Sequence, residues 1–165
     1  AMVETPTAIF NVRSIAAHPR VVALVMGTND LAKELRATQV RGRSPLVPHL
    51  ATALLAAREA GKVILDGVFN DVKDLDAFRD ECTQGAHMGF DGKTLIHPGQ
   101  VDICNEGWAP TAADVDYATR VIAAFDEAQA DGRGVITVDG RMIENLHVDN
   151  ARRVLAVQAA IDALG

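Results

Sequence analysis

Short apolar runs alternate with longer amphipathic segments along most of this chain. Ala1-Met2-Val3 leads into Glu4-Thr5-Pro6, and the run from Val21 to Met26 leads into Gly27-Thr28-Asn29-Asp30. A third run, Val63 to Leu65, ends at Asp66-Gly67-Val68. The runs are short, rich in β-branched residues and bounded by turn signals, as buried parallel strands are. Between the second and third, Pro45 to Ala60 is rich in alanine and leucine. Ser44 reads as its N-cap, Pro45 as its first helical position and Gly61 as its stop. Asp71 opens another helix that reaches Gln84 and stops at Gly85, with Val72, Leu75 and Phe78 at helical spacing. A last strand is predicted at Thr94 to Ile96, between the Asp91-Gly92 turn and His97-Pro98-Gly99.

The pattern then changes. Thr111 to Ala130 predicts a long helix, with Thr111 as N-cap and Asp114 in the capping-box position. Gly132-Arg133-Gly134 reads as a linker. Val135 to Val138 and Arg141 to Ile143 predict a hairpin turning at Asp139-Gly140, and a helix from Val148 to Leu164 follows. Four strands, each followed by helical material, make half of a (β/α)8 barrel, a fold of about 250 residues. A small open sheet of four parallel strands is the alternative. The first strand starts at residue 1 and already carries a candidate ligand, so an amino-terminal half is expected outside this sequence. The domain reading is 1–131 for the carboxyl-terminal half of a TIM barrel and 132–165 for a carboxyl-terminal extension.

In α/β proteins chemistry gathers at the carboxyl ends of the strands. Glu4 and Asp30 both fall there, 26 positions apart, which fits one strand–helix–strand step. Two converging carboxylates suit Mg²⁺, which takes one or two carboxylates and fills its other positions with water and substrate oxygens. The plainer alternative is a polar strand end and a helix cap. Gly27 and Thr28 form a turn at a helix amino terminus, where backbone amides hold a substrate carboxylate; a tight turn that merely needs glycine is the other reading. Asp66 either contacts substrate or cofactor, or hydrogen-bonds across the barrel top. His18, His49, His87 and His147 have no ligand spacing and read as surface or capping residues.

Composition narrows the class. Of 165 residues, 48% are hydrophobic and 23% charged, which are globular values, and the net charge of −6 argues against non-specific nucleic-acid binding. No apolar run reaches the roughly 20 residues a membrane span needs. Cys82 and Cys104 are neither in CxxC nor in metal-ligand spacing, so a reduced, cytoplasmic protein is expected.

Several motifs follow one another in order: Val3-Glu4-Thr5, then Met26-Gly27-Thr28-Asn29-Asp30-Leu31, then Leu65-Asp66-Gly67-Val68. After them come the run from Gly89 to Gln100 (GFDGKTLIHPGQ) and Asp139-Gly140-Arg141-Met142-Ile143-Glu144. The ordered set resembles the carboxyl-terminal half of the citrate lyase β-subunit and malyl-CoA lyase family, and covers nearly the whole chain. The resemblance implies a (β/α)8 barrel with a carboxyl-terminal extension. It implies Mg²⁺-dependent cleavage or formation of a carbon–carbon bond next to a coenzyme A thioester, through a metal-stabilised enolate. The family's metal glutamate and aspartate fall on Glu4 and Asp30. Ile96, His97 and Pro98 fall on a loop near coenzyme A, which favours a structural or CoA-contacting histidine over a proton-transfer one. Glu144 stands where the family resembles an aspartate that reaches a neighbouring subunit's active site as acid/base, in a trimer or its multiple; a solvated hairpin charge is the alternative. Arg133, Arg141, Arg152 and Arg153 read as surface charges, with Arg141 as a CoA phosphate contact the lesser reading. Three further readings stay open: a malyl-CoA-type thioesterase, a 2-oxo-acid aldolase acting on free acids, and a non-catalytic barrel fragment that pairs with a separate amino-terminal half.

Overall fold

A computed structural model of the chain describes residues 1–131 and 136–164. It divides into two compact units, Ala1–Trp108 and Ala109–Gly165. The first is α/β. Strands β1 (Met2–Val3), β2 (Ala23–Met26), β3 (Val63–Asp66) and β4 (Gly92–Lys93) form one parallel sheet in sequential order. The register pairs Val3 with Met26, Leu24 with Ile64, and Asp66 with Lys93. Helices α1 (Pro6–Phe10) and α2 (Val12–Ala17) follow β1, and α3 (Thr28–Leu35) and α4 (Val47–Glu59) follow β2. Helix α5 (Leu75–Met88) follows β3, and α6 (Val101–Trp108) follows β4.

Strand alternation sorts the two faces. Val3, Leu24, Met26 and Ile64 are buried against Leu31, Leu50, Ala53 and Ala57, so this is the helix-covered face. Asp66, two residues beyond Ile64, shares it and is fully buried. Val25 and Leu65 occupy the other face and are only half-buried.

The parallel, sequential order and the Gly61 stop agree with the sequence pattern; Gly61 takes φ +63. Three boundaries move. Helix α4 has Leu46 as its N-cap, and the expected cap Ser44 and Pro45 lie in a preceding turn. Gly42 and Arg43 take left-handed φ values of +78 and +53 there, and Arg43 C=O accepts from the amides of Leu46 and Val47. Helix α5 starts after Asp74, which caps Ala77 N–H, and runs through Gly85 to the left-handed Gly89. Gly85 is therefore no stop. A Cβ there would meet Trp108 at 3.2 Å and the Asp66 carboxylate at 3.0 Å, so glycine serves close packing. The fourth strand forms at Gly92–Lys93, earlier than expected, because Lys93 pairs with Asp66.

In the second unit, α7 (Ala112–Ala130), β5 (Ile136–Val138), β6 (Arg141–Ile143) and α8 (Asn145–Asp162) share one core. Ala118 and Val121 of α7 pack with Val138, Ile143, Val148 and Ala151. The long helix, which the pattern joined to the barrel as part of 1–131, thus belongs to a unit beginning at Ala109. Asp139 and Gly140 take φ +51 and +74, the paired left-handed residues a tight antiparallel hairpin requires. The expected linker Gly132-Arg133-Gly134, and Val135, lie outside the described residues. Among the described residues no helix is long and apolar enough to cross a membrane.

Beneath the strand ends of the first unit lies a buried charge network. Arg43 Nη1 donates to both Asp66 oxygens, at 2.7 and 2.8 Å. Lys93 Nζ donates to Asp66 at 3.0 Å and to Glu81 at 2.6 Å. Arg43 Nε lies 3.4 Å from Glu81 and donates to Gln84 at 3.0 Å. The two cations and two anions balance. Removing one partner from such a set is costly, because it strands a charge away from water.

Lys93→Met is accordingly expected to destabilise the complete protein by about 3–5 kcal/mol, read by urea unfolding; a loss below about 1 kcal/mol would show that the network contributes little. A second expectation concerns the capping box of α7. The hydroxyl and amide of Thr111 hydrogen-bond the Asp114 carboxylate and hold it below its ordinary pKa. Its stabilising effect is therefore complete above the ordinary value and fades as pH falls through the lowered one. Thr111→Val should move the Asp114 titration, followed by NMR, back up and cost about 1 kcal/mol. An unmoved titration would remove the capping box from the account.

Candidate functional site

At the carboxyl ends of β1 and β2 the chain packs closely around two glycines. Gly27 N–H donates to Val3 C=O at 2.9 Å, carrying the parallel ladder one step past β1. This sets Gly27 directly beside Glu4. A Cβ on Gly27 would fall 2.3 Å from Glu4 Cβ and 2.7 Å from Glu4 Oε2. A Cβ on Gly67 would fall 2.3 Å from Thr28 Oγ1 and 2.8 Å from Met26 C=O. Both glycines are needed for what is missing from them. Any side chain would displace Glu4 or Thr28 from the mouth.

Glu4 is half-buried and Asp30 is exposed. Asp30 occupies the first turn of α3, whose N-cap is Gly27, so the helix-cap reading of Asp30 does not hold. The amino-terminal end of α3 favours its negative charge. Neither carboxylate has a hydrogen bond or ion pair to the protein among the described residues, so both retain their oxygens for a ligand. Thr28 is buried at the first helical position, and Gly27 caps the helix without a side chain.

Beside this mouth opens a cleft of about 570 Å³ that shares Thr28 with it. Part of its polar lining is an amide trio. Asn29 and Asn70 exchange hydrogen bonds at 2.9 and 2.6 Å, and Gln39 donates to Asn29 at 3.0 Å. Glu4 and Asp30 do not line the cleft. Arg43 does, and its Nη2 is buried with no hydrogen-bond partner among the described residues.

The other candidate residues lie as follows. Asp66 is on the helix-covered face, with both oxygens taken by Arg43, Lys93 and Gly67 N–H. Of its two readings, the hydrogen-bonding one matches this surrounding. Ile96, His97 and Pro98 form an exposed loop after β4. His97 Nδ1 accepts from Gly99 N–H at 3.0 Å, a local cap that shapes the turn. The loop is anchored by Gln100, fully buried, which accepts from Ile96 N–H and donates to Phe69 C=O. In the second unit Glu144 is exposed at the start of α8, and its N–H donates to His147 Nδ1 at 2.9 Å. Arg152 lies over the Phe125 ring and beside Asp149, and Arg153 beside Asn150, as surface charges do.

The sequence reading missed Arg43, Glu81, Lys93 and Gln100. Lys93 carried one usable signal: a charged residue flanked by Gly92 and apolar Leu95-Ile96. The rest gave none: Arg43 and Glu81 pair with residues far along the chain, and Gln100 ties Ile96 N–H to Phe69 C=O across a loop.

Residues 1–98 match the family described as HpcH/HpaI aldolase/citrate lyase. The whole chain is 52% identical to a (3S)-malyl-CoA thioesterase of Cereibacter sphaeroides, covering 58% of that protein. It is 34% identical, over 94% of its length, to the citrate lyase subunit beta of Escherichia coli, covering 52% of that protein. It therefore spans little more than half the length of these relatives. Among solved structures it superposes on protein CitE from Mycobacterium tuberculosis, in a complex with magnesium, acetoacetate and coenzyme A. That match has a TM-score of 0.79 and 27% identity, over 94% of this chain and 59% of the other. Sheet order, the Glu4–Gly27 mouth and these likenesses agree: the chain belongs to the HpcH/HpaI aldolase/citrate lyase family.

Proposed function

We propose that this chain carries the metal-binding half of an Mg²⁺-dependent enzyme acting on a malyl-type coenzyme A thioester. The observation that carries this reading is the mouth itself. Glu4, held beside a glycine that cannot be larger, and Asp30, in the first turn of α3, are two carboxylates that have no protein partner among the described residues, at the carboxyl ends of β1 and β2. That donor set fits Mg²⁺ and does not fit the nitrogen- and sulfur-rich sets of zinc. Among the described residues no third His, Cys, Asp or Glu joins them, which leaves the remaining positions to water and substrate oxygens. A bound Mg²⁺ supplies polarisation of a substrate oxygen and stabilisation of negative charge formed there. The magnesium and coenzyme A named for the M. tuberculosis protein support the same ligands here.

Thioester hydrolysis is the reaction placed first, on the 52% identity to the malyl-CoA thioesterase. Carbon–carbon lysis of the same kind of substrate is the second reading, favoured by the citrate lyase relatives. In either, the α3 amino terminus at Gly27 and Thr28 orients a substrate carboxylate, and the 96–98 loop lies against coenzyme A. Asp66 acts behind them, fixing the strand end rather than touching substrate. The sheet forms the last four strand–helix units of a (β/α)8 barrel. Its amino-terminal half closes against the outer edges of β1 and β4 and supplies the remaining substrate contacts. The carboxyl-terminal extension brings Glu144 to the active site of a neighbouring subunit in a homo-oligomer.

The test uses the complete protein with (3S)-malyl-CoA and Mg²⁺. Hydrolysis yields malate and free thiol in equal amounts; lysis yields glyoxylate and acetyl-CoA without free thiol. Asp30→Asn should weaken Mg²⁺ binding more than tenfold, on the order of 1.4 kcal/mol or greater, because it removes one of two anionic ligands. Unchanged Mg²⁺ affinity by calorimetry would refute the metal assignment, and neither product pair appearing would refute the substrate class.

A further inference from the structure

Helices α5 and α6 approach closely, and two glycines permit it. Gly85 of α5 receives the Trp108 ring, and a Cβ on Gly107 of α6 would meet Cys82 Cβ at 3.2 Å. On α5 the facing residues are Phe78, Cys82 and Gly85, spaced four and three apart; on α6 they are Cys104, Gly107 and Trp108. One helical stripe thus presses on another, and each stripe carries one cysteine. Cys82 is fully buried, Cys104 is 8% exposed, and with Phe78 they form a small core of their own. Both are free thiols. This pair, from sequence positions 22 apart, has no part in the metal or thioester chemistry.

We propose that Cys82 and Cys104 are a reversible dithiol site that closes to a disulfide across α5 and α6 when a peroxide is the oxidant. The step balances. Cys104 sulfur attacks a peroxide oxygen and becomes a sulfenic acid, while the O–O bond breaks and water leaves. Cys82 sulfur then attacks the Cys104 sulfur, the S–O bond breaks, and a second water carries off the last proton. Two thiols are oxidised by two electrons and one hydrogen peroxide is reduced to two waters. The order of attack follows from exposure, since Cys104 is the more exposed of the two residues. Neighbouring Cys82 lowers the Cys104 thiol pKa to about 7, burial opposes this, and nearby Lys93 adds to the lowering. The Cys82 thiol is pushed up, first by neighbouring Cys104 and then by burial, which leaves Cys104 as the first thiol to react. The close approach of α5 and α6 at Gly85 and Gly107 holds the two cysteines in one small core.

The site sits behind the ion network and just after the 96–100 loop, since α6 begins at Val101. Closure fixes the separation of the two helices under that loop.

The complete protein, treated with hydrogen peroxide and then alkylated, is cut with trypsin. Cys82 falls in the peptide 80–93 and Cys104 in 94–120. The expected result is a linked pair of these peptides, lighter by two hydrogens than their sum, which dithiothreitol restores to separate thiols. Oxidation of a mixture of ¹⁴N- and ¹⁵N-labelled protein should give no mixed-isotope pair. In Cys104→Ser no linked species should form, and Cys82 should stay alkylatable. Two alkylated thiols after peroxide, a Cys104 sulfinic acid without linked peptide, or mixed-isotope pairs would each overturn the proposal.

Discussion

A charge removed from water must find its opposite, and the first unit is organised around that requirement. Asp66 sits at the end of β3 on the face that helices cover, where an isolated carboxylate would be strongly unfavourable. Its partners arrive from three separate places: Arg43 from the left-handed turn before α4, Lys93 from β4, and Glu81, through Lys93, from α5. Each of these segments is held in position by the same four side chains. The late start of α4 and the early position of β4 both follow from delivering a cation to Asp66. The network costs desolvation and returns register, so its worth lies more in where it fixes the chain than in net stability.

The mouth above it is built by subtraction. Gly27 and Gly67 leave out Cβ atoms so that Glu4 and Thr28 can stand where they do. Alternation then divides the labour between neighbouring residues. Val3 goes to the helix-covered core, and Glu4 beside Gly27 goes to the mouth. Asp66 goes to the core side and is tied down, which matches the hydrogen-bonding one of the two readings that its place at a strand end leaves open.

Legibility in the sequence followed the range of the interaction. Thr111 with Asp114, and Asp139 with Gly140, act on neighbours within a turn, and the structure forms both as read. The sequential parallel sheet was readable too, because alternating runs leave few topologies. Gly85 misled, since a glycine that ends a helix and one that admits a tryptophan ring look alike until the ring is placed. Ser44 misled because the turn it lies in is set by a buried arginine one residue earlier. The second unit's boundary at Ala109 was hidden for a related reason: helical periodicity says that Ala112–Ala130 has an apolar face, and does not say which core receives it. Arg43, Glu81 and Gln100 have partners dozens of positions away or across a loop, and no local pattern announces them.

The sequential strand order bears on how the molecule comes into being. Each strand pairs with the one made just before it, so at every point during synthesis the newest strand finds its partner already in place. These four strands can therefore pair in the direction of translation, one β–α step at a time. Among them, only the charge closure breaks this order. Asp66 emerges before Lys93, so its burial has to wait for β4, and Arg43 alone must shield it during that interval.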